Sequence, residues 1–327
     1  MKPRSYGPAL ARAGQALLFA ALVFATASHA AETIIAGGVS SASANLWPVY
    51  IGIKKGFFAD VDIKIDLIFS QSNSATIQQL VVNAINLSIG SGLVDPIRAI
   101  EKGAPLAIAR IEALRPPYAL VSKPGIREMK ALTGKIVSVG GAKDITRIFL
   151  ERMLVPAGVD PKGLDLIFAG ATSARLAALQ SGAADAAMLT TPYSFHAMAA
   201  GFTNLGLAAD YVDMPFSGVA TNRNWAARNI ATVRKFLEVY TKSILWLTDP
   251  DHRKEAIGMM VAVSNLSADD VEKSYDFLVK GGFFEPTGRV SKAKLGKVVD
   301  ALKELGDIPR AFATERLFLP EVTQVTE

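Results

Sequence analysis

Hydroxyl-bearing and small residues gather at a few places in this sequence, and most of those places stand just ahead of a run with helical periodicity. Ser40, Ser41 and Ser43 precede Leu46, Trp47 and Val49, and Ser70, Ser72 and Asn73 precede Ile77, Leu80 and Val81. Ser91 and Gly92 close an apolar run, and Gly140, Gly141 and Ala142 lead into Lys143 and Arg147. Thr172 and Ser173 precede Leu176 and Leu179, and Thr190 and Thr191 stand before Pro192 and Tyr193. At a helix start the free backbone N–H groups and the positive end of the helix dipole attract an anion, and hydroxyls add donors without bulk. Several such ends converging would hold a sulfonate, a carboxylate or a similar oxyanion. Taken singly, each Ser, Thr or Asn is equally an ordinary cap contributing about 1 kcal/mol of stability; as a set they read as a binding surface. The residues expected to touch a ligand are Ser41, Ser43, Ser72, Asn73, Ser91, Gly92, Gly141, Lys143, Thr172, Ser173, Arg175, Thr191 and Tyr193.

Arg175 ranks first among the charged candidates. It falls in the first turn of its helix, where a cation opposes the dipole. A guanidinium fork there would clamp an oxyanion through two bonds; pairing with a surface carboxylate is the alternative. Lys143 and Arg147 raise the same question after Gly140-Gly141. Trp47, Phe69 and Tyr193 are the aromatic groups that could wall an organic ligand. Trp47 and Phe69 read as core from their neighbours, which leaves Tyr193 as the wall.

Catalytic and metal chemistry have little material here. The chain has no Cys, and beyond residue 30 only His196 and His252 remain, far apart and without ligand-spaced partners. No Gly-x-Ser-x-Gly elbow, phosphate loop or dinucleotide fingerprint occurs. The chain therefore reads as a binder and not an enzyme, with no metal or cofactor, although a carboxylate pair would not reveal itself by spacing.

Lys2, Arg4 and Arg12 lead an apolar run from Ala13 to Ala27 that ends in Ser28-His29-Ala30. This run is shorter than the roughly 20 residues of a membrane-spanning helix, and residues 1–30 read as a secretory signal peptide. They carry three cations and no acid, so without them the formal charge falls from +5 to +2. Cations and acids are then evenly scattered, which gives no footprint for nucleic acid. With no Cys to form disulfides or carry a lipid, a free periplasmic protein of a two-membrane bacterium is expected.

The elements that must position the polar loops come from an internal repeat. Asp66-Leu67-Ile68-Phe69 recurs as Asp165-Leu166-Ile167-Phe168, 99 residues on, and Ser74-Ala75 and Leu80 match Ser173-Ala174 and Leu179 in the same register. Each copy reads as strand, polar loop, helix, turn and strand, with Asn83 and Gly182 at the left-handed helix ends. The repeat implies one parallel β-α-β unit in each of two lobes. Ligands in such open sheets bind beyond the carboxyl ends of the strands. Pro116-Pro117 marks the first crossing between lobes, and the return is expected between Pro215 and Asn222. This divides the chain into lobe 1 at 31–115 plus 218–327, including C-terminal helices that brace it and the hinge, and lobe 2 at 116–217.

An ordered set of motifs resembles a known family. Leu46-Trp47-Pro48-Val49-Tyr50 with Lys55-Gly56-Phe57-Phe58, then Ala131-Leu132-Thr133-Gly134-Lys135, then 179–187 (LQSGAADAA) and Thr191-Pro192 are similar to solute-binding proteins of nitrate, sulfonate and taurine importers. The wider group includes binders of thiamine-pyrimidine precursors (NMT1/THI5-like). The resemblance implies an α/β, type II periplasmic binding protein fold with two lobes around a ligand cleft and extra C-terminal helices. It also implies a monomer that captures a small molecule and docks on an ABC permease in the inner membrane. Asp60-Val61-Asp62, Asn83 and Asn86 depart from the family pattern and caution against borrowing a substrate. A small organic anion is the expected ligand. A thiamine-pyrimidine-type precursor, a periplasmic sensor module and an enzyme on the same fold are the alternatives.

Overall fold

The computed structural model describes residues 31–327; the proposed signal peptide lies outside the described residues. Lobe 1 opens with β1 (Glu32–Val39), α1 (Trp47–Lys54), β2 (Ile63–Ser70), α2 (Asn73–Val81), β3 (Leu87–Gly92), α3 (Val94–Glu101) and β4 (Leu106–Ala113). Lobe 2 follows with β5 (Tyr118–Ser122), β6 (Ile136–Val139), α4 (Ile145–Leu154), β7 (Asp165–Phe168), α5 (Thr172–Ser181), β8 (Ala186–Thr190), α6 (Tyr193–Ala199) and β9 (Thr203–Leu207). The chain then returns to lobe 1 through β10 (Ser217–Asn222), α7 (Arg223–Arg228), α8 (Ile230–Thr248), α9 (Arg253–Ser264) and α10 (Ala268–Lys280). β11 (Val290–Ser291), α11 (Lys292–Glu304) and β12 (Val325–Thr326) complete it.

The two five-stranded sheets have the same plan: β2-β1-β3-β10-β4 in lobe 1 and β7-β6-β8-β5-β9 in lobe 2. In each, the repeat supplies two of three parallel strands, β1 or β6 lying between them, and an antiparallel strand stands next to the third in the order. That antiparallel strand, β5 or β10, is the one the chain enters directly after crossing from the other lobe. The repeat copies thus belong to two separate sheets.

One expectation is corrected here. Residues 217–222 were expected to be part of the return crossing, but Ser217–Asn222 is an internal strand, with β3 on one side and β4 on the other. All six of its residues are buried, so SGVATN has no inside-outside alternation to betray a strand. A second correction concerns Phe69, which is 41% exposed at the end of edge strand β2 instead of lying in the core.

α2 and α5 end as their residue types require. Asn83 takes φ +60° and Gly182 φ +84°, the left-handed conformation that stops a helix. Trp47 is buried in the outer core of lobe 1 with Val233, Phe236, Tyr240 and Ile244 from the apolar stripe of α8. The segment after α10 braces the first crossing: Leu114 N–H donates to Phe283 O at 2.7 Å, and Arg115 to Gly281 O at 3.2 Å. α10 also packs on α6 of lobe 2.

Candidate functional site

The polar loops that follow β1, β2 and β3 face those that follow β6, β7 and β8, and the two sets touch. Gly170, at φ +60°, follows β7; a Cβ there would lie 2.4 Å from the Gln71 carbonyl oxygen that follows β2. The repeat copies therefore meet backbone to backbone at a point only glycine permits. Asn73 Nδ2 donates to Asp144 Oδ2 across the gap at 3.2 Å, Ala44 N–H donates to Thr191 O at 3.2 Å, and the Ser40 and Tyr193 hydroxyls are 3.0 Å apart. The cleft so enclosed is about 20 Å³, room for about one water. The two lobes are in contact across this cleft, and as they stand it has no room for an organic molecule.

Arg175 is buried, not paired on the surface. Its Nε donates to Met188 O at 2.8 Å, its Nη2 to Thr172 Oγ1 at 2.6 Å and its Nη1 to Gly170 O. These bonds tie the loop before α5 to the end of β8 and use three of the five guanidinium N–H donors, with the group lying beside the Tyr118 ring on the cleft wall. Ala171, directly before α5, has no side-chain cap to offer, so among the described residues the N–H groups of the first turn have no capping side chain. The opposite charge stands at α4, where Asp144 caps the helix by accepting from Thr146 N–H at 2.9 Å. Among the described residues its other oxygen receives only Asn73. Tyr118 forms part of the wall, and burial pushes its phenol up to about 12, so it remains a neutral donor.

Behind the cleft, Glu112 on β4 is fully buried and accepts the Gly90 N–H at 3.0 Å. Burial pushes its carboxyl up to about 8 against the pull of Arg110. Gly90, at φ +62°, lines the cleft, so Glu112 fixes its wall from beneath. A larger groove of about 560 Å³ lies between α8 and residues 320–324; neither lobe 2 nor any loop of the repeat lines it. Among the described residues no three His, Cys, Asp or Glu side chains come together to hold a metal ion.

The sequence profile described as NMT1/THI5 like matches residues 43–253. The chain belongs to the NMT1/THI5-like family. No curated protein matches it in sequence. Solved structures share the fold: the periplasmic aliphatic sulphonate binding protein SsuA from Escherichia coli is 19% identical with a TM-score of 0.69, over 89% of this chain and 98% of that one. The periplasmic nitrate-binding protein NrtA from Synechocystis PCC 6803 is 14% identical with a TM-score of 0.67, over 86% and 84%. A DSZB variant in complex with biphenyl-2-sulfinic acid is 14% identical with a TM-score of 0.63, over 89% and 97%. The fold is that of type II periplasmic binding proteins, as the motifs implied.

Within this NMT1/THI5-like chain the expected ligand residues divide into two groups. Ser43, Asn73, Thr172 and Arg175 line the cleft, and Tyr193 reaches its edge through Ser40. Ser72 caps α2 by accepting from Ala75 N–H at 3.2 Å, and Ser91 is buried in β3, its hydroxyl turned to Ile89 O. Gly92 packs on Ile145 of lobe 2, and Gly141 lies against Asp144. Ser41 and Ser173 are exposed. Thr191 is buried, and its hydroxyl has no partner among the described residues. Lys143 points away from the cleft to Asp307 at 3.0 Å.

The lining residues absent from that expectation are Asn45, Gly90, Tyr118, Asp144, Gly170, Thr190 and Phe216, together with Val39, Ser40 and Ala171. Asp144 carried a readable signal, a capping residue three positions after Gly141 and directly before a helical run. Tyr118 and Phe216 did not, because they enter from the two crossing segments, whose place depends on how the lobes are joined.

Proposed function

We propose that this NMT1/THI5-like protein is the periplasmic solute-capturing component of an ABC importer, and that it binds without turnover. Two lobes, 31–115 with 218–327 and 116–217, close on a small organic anion, a sulfonate or a carboxylate, and the closed form docks on the permease as a monomer. The observation that carries this reading is a polar cleft built from the strand-end loops of both lobes, with an uncapped helix start and a partly unused guanidinium on the same wall. Ligand that bridges the two loop sets stabilises the closed form by its added contacts there.

Asp144 favours a second reading. A carboxylate on the cleft wall repels a bare anion and accepts from N–H donors, which suits a thiamine-pyrimidine-type precursor. The two readings separate in a thermal-shift screen of residues 31–327 against alkanesulfonates, carboxylates, nitrate and aminopyrimidines. A true ligand at 100 times its dissociation constant adds about 2.7 kcal/mol of stability. Asp144→Asn, which keeps an oxygen to cap α4, leaves anion binding intact or tighter and weakens an aminopyrimidine. An unmoved midpoint across the whole panel would overturn both.

A further inference from the structure

A seam runs beside the cleft, between the start of α4 in lobe 2 and α3 with the turn after α11 in lobe 1. Arg98 on α3 holds Asp307 through Nη2 and also donates from Nη1 to the backbone oxygen of Lys143 in the opposite lobe. Lys143 Nζ reaches back to Asp307 Oδ1 at 3.0 Å. Two side chains of one lobe and one residue of the other thus close a ring over the gap. Its lobe 1 members are largely shielded, Arg98 at 11% and Asp307 at 13% side-chain exposure. Two other ion pairs between the lobes are open to water, Arg152 with Glu304 at 50% and 63% and Lys297 with Asp213 at 49% and 91%, while His196 meets the shielded Asp270 carboxylate at 39% and 3%. Exposed pairs contribute little, whereas a shielded guanidinium bonded to a carbonyl contributes more.

We propose that Arg98, Lys143 and Asp307 are positioning residues that set the closed-to-open ratio of the protein without touching the ligand; this rests on the hinge-closure reading above. When the lobes part, the Arg98–Asp307 pair stays within lobe 1. Only the two contacts to Lys143 are lost, so their energy belongs to closure and not to the folding of either lobe. A ligand that binds between the lobes adds to a balance already biased by this ring.

The absence of Cys lets two spin labels be placed cleanly, through Val82→Cys in lobe 1 and Val155→Cys in lobe 2, positions 74% and 62% exposed. Pulsed electron-spin distance measurements on unliganded protein then read the open and closed populations. Arg98→Ala, which removes the bond to the Lys143 carbonyl, lowers the closed-to-open ratio roughly fivefold, and Lys143→Ala and Asp307→Asn, which break only the ion pair with the exposed Lys143 side chain, lower it about twofold. Lys143 is a surface side chain whose removal leaves folding intact. Lys273→Ala, which breaks a pair within α10, changes nothing. Two populations in the parent with no shift in Arg98→Ala or in Lys143→Ala would remove the latch and leave the hinge standing. One unchanging distance in every sample would remove the hinge, and the latch with it.

Discussion

The two copies of the repeat carry different first turns on the same backbone plan. In lobe 1, Ser72 caps α2 with its hydroxyl, and Thr76, fully buried, donates back to Ser72 O at 3.2 Å. That loop is closed by its own short side chains. Ninety-nine residues on, the matching positions are Ala171 and Arg175. Ala171 cannot cap, and Arg175 holds its loop from beneath through three bonds to lobe 2 atoms. A helix start can satisfy its own N–H groups or offer them to a ligand. Lobe 1 has taken the first course at α2, whereas α5 of lobe 2 has no side-chain cap.

Substitutions at matching positions test that contrast. Arg175→Ala removes a buried side chain and leaves the Met188 and Gly170 oxygens without their donor, so urea unfolding should lose about 3 kcal/mol. Thr76→Ala at the matching site should lose about 1 kcal/mol. Equal losses at the two positions would erase the distinction.

Acid should act on the seam between the lobes. Asp95 is largely shielded in the first turn of α3, one oxygen near Ser74 and Arg98 and the other without a partner among the described residues. Burial, and then Asp144 across the gap, raise its carboxyl from 3.8 to about 7. The folded chain therefore keeps a proton that the unfolded chain releases. The stability this proton contributes is full below about pH 4 and is lost as pH rises through 7. Asp95→Asn should raise stability on the order of 1–2 kcal/mol at pH 8, and leave it unchanged at pH 4. The same gain at both values would assign the effect to something other than ionisation.

Capping gives the finer tests. Ser72→Ala should cost about 1 kcal/mol through loss of the α2 cap. Ala171→Ser gives α5 the cap that its counterpart has, and should stabilise the protein by about 0.5 kcal/mol while weakening any anion that uses the open turn. A stabilised variant with undiminished anion affinity, measured by calorimetry, would mean that the first turn of α5 is not part of the site.

Much of this architecture was legible along the chain. The repeat, the left-handed Asn83 and Gly182, the apolar stripe of α8 and the Pro116-Pro117 junction are local patterns, and local sterics and periodicity dictate them wherever the chain is placed. The polar loops were legible for the same reason, since helix starts select Ser, Thr and Asn.

Only the tertiary structure decided which loops share a surface. Ser43, Asn73, Thr172 and Arg175 came together in the cleft, while Lys143, of the same kind and in an equivalent loop, turned outward to Asp307. Residues 217–222 became a central strand because β3 and β4 cover both of its edges, a condition with no trace in six small residues. Burial also set the charge state of Asp95, which depends on the Asp144 carboxylate brought near from another lobe. Short-range conformational preference travels with the residue; contact partners and desolvation belong to the fold.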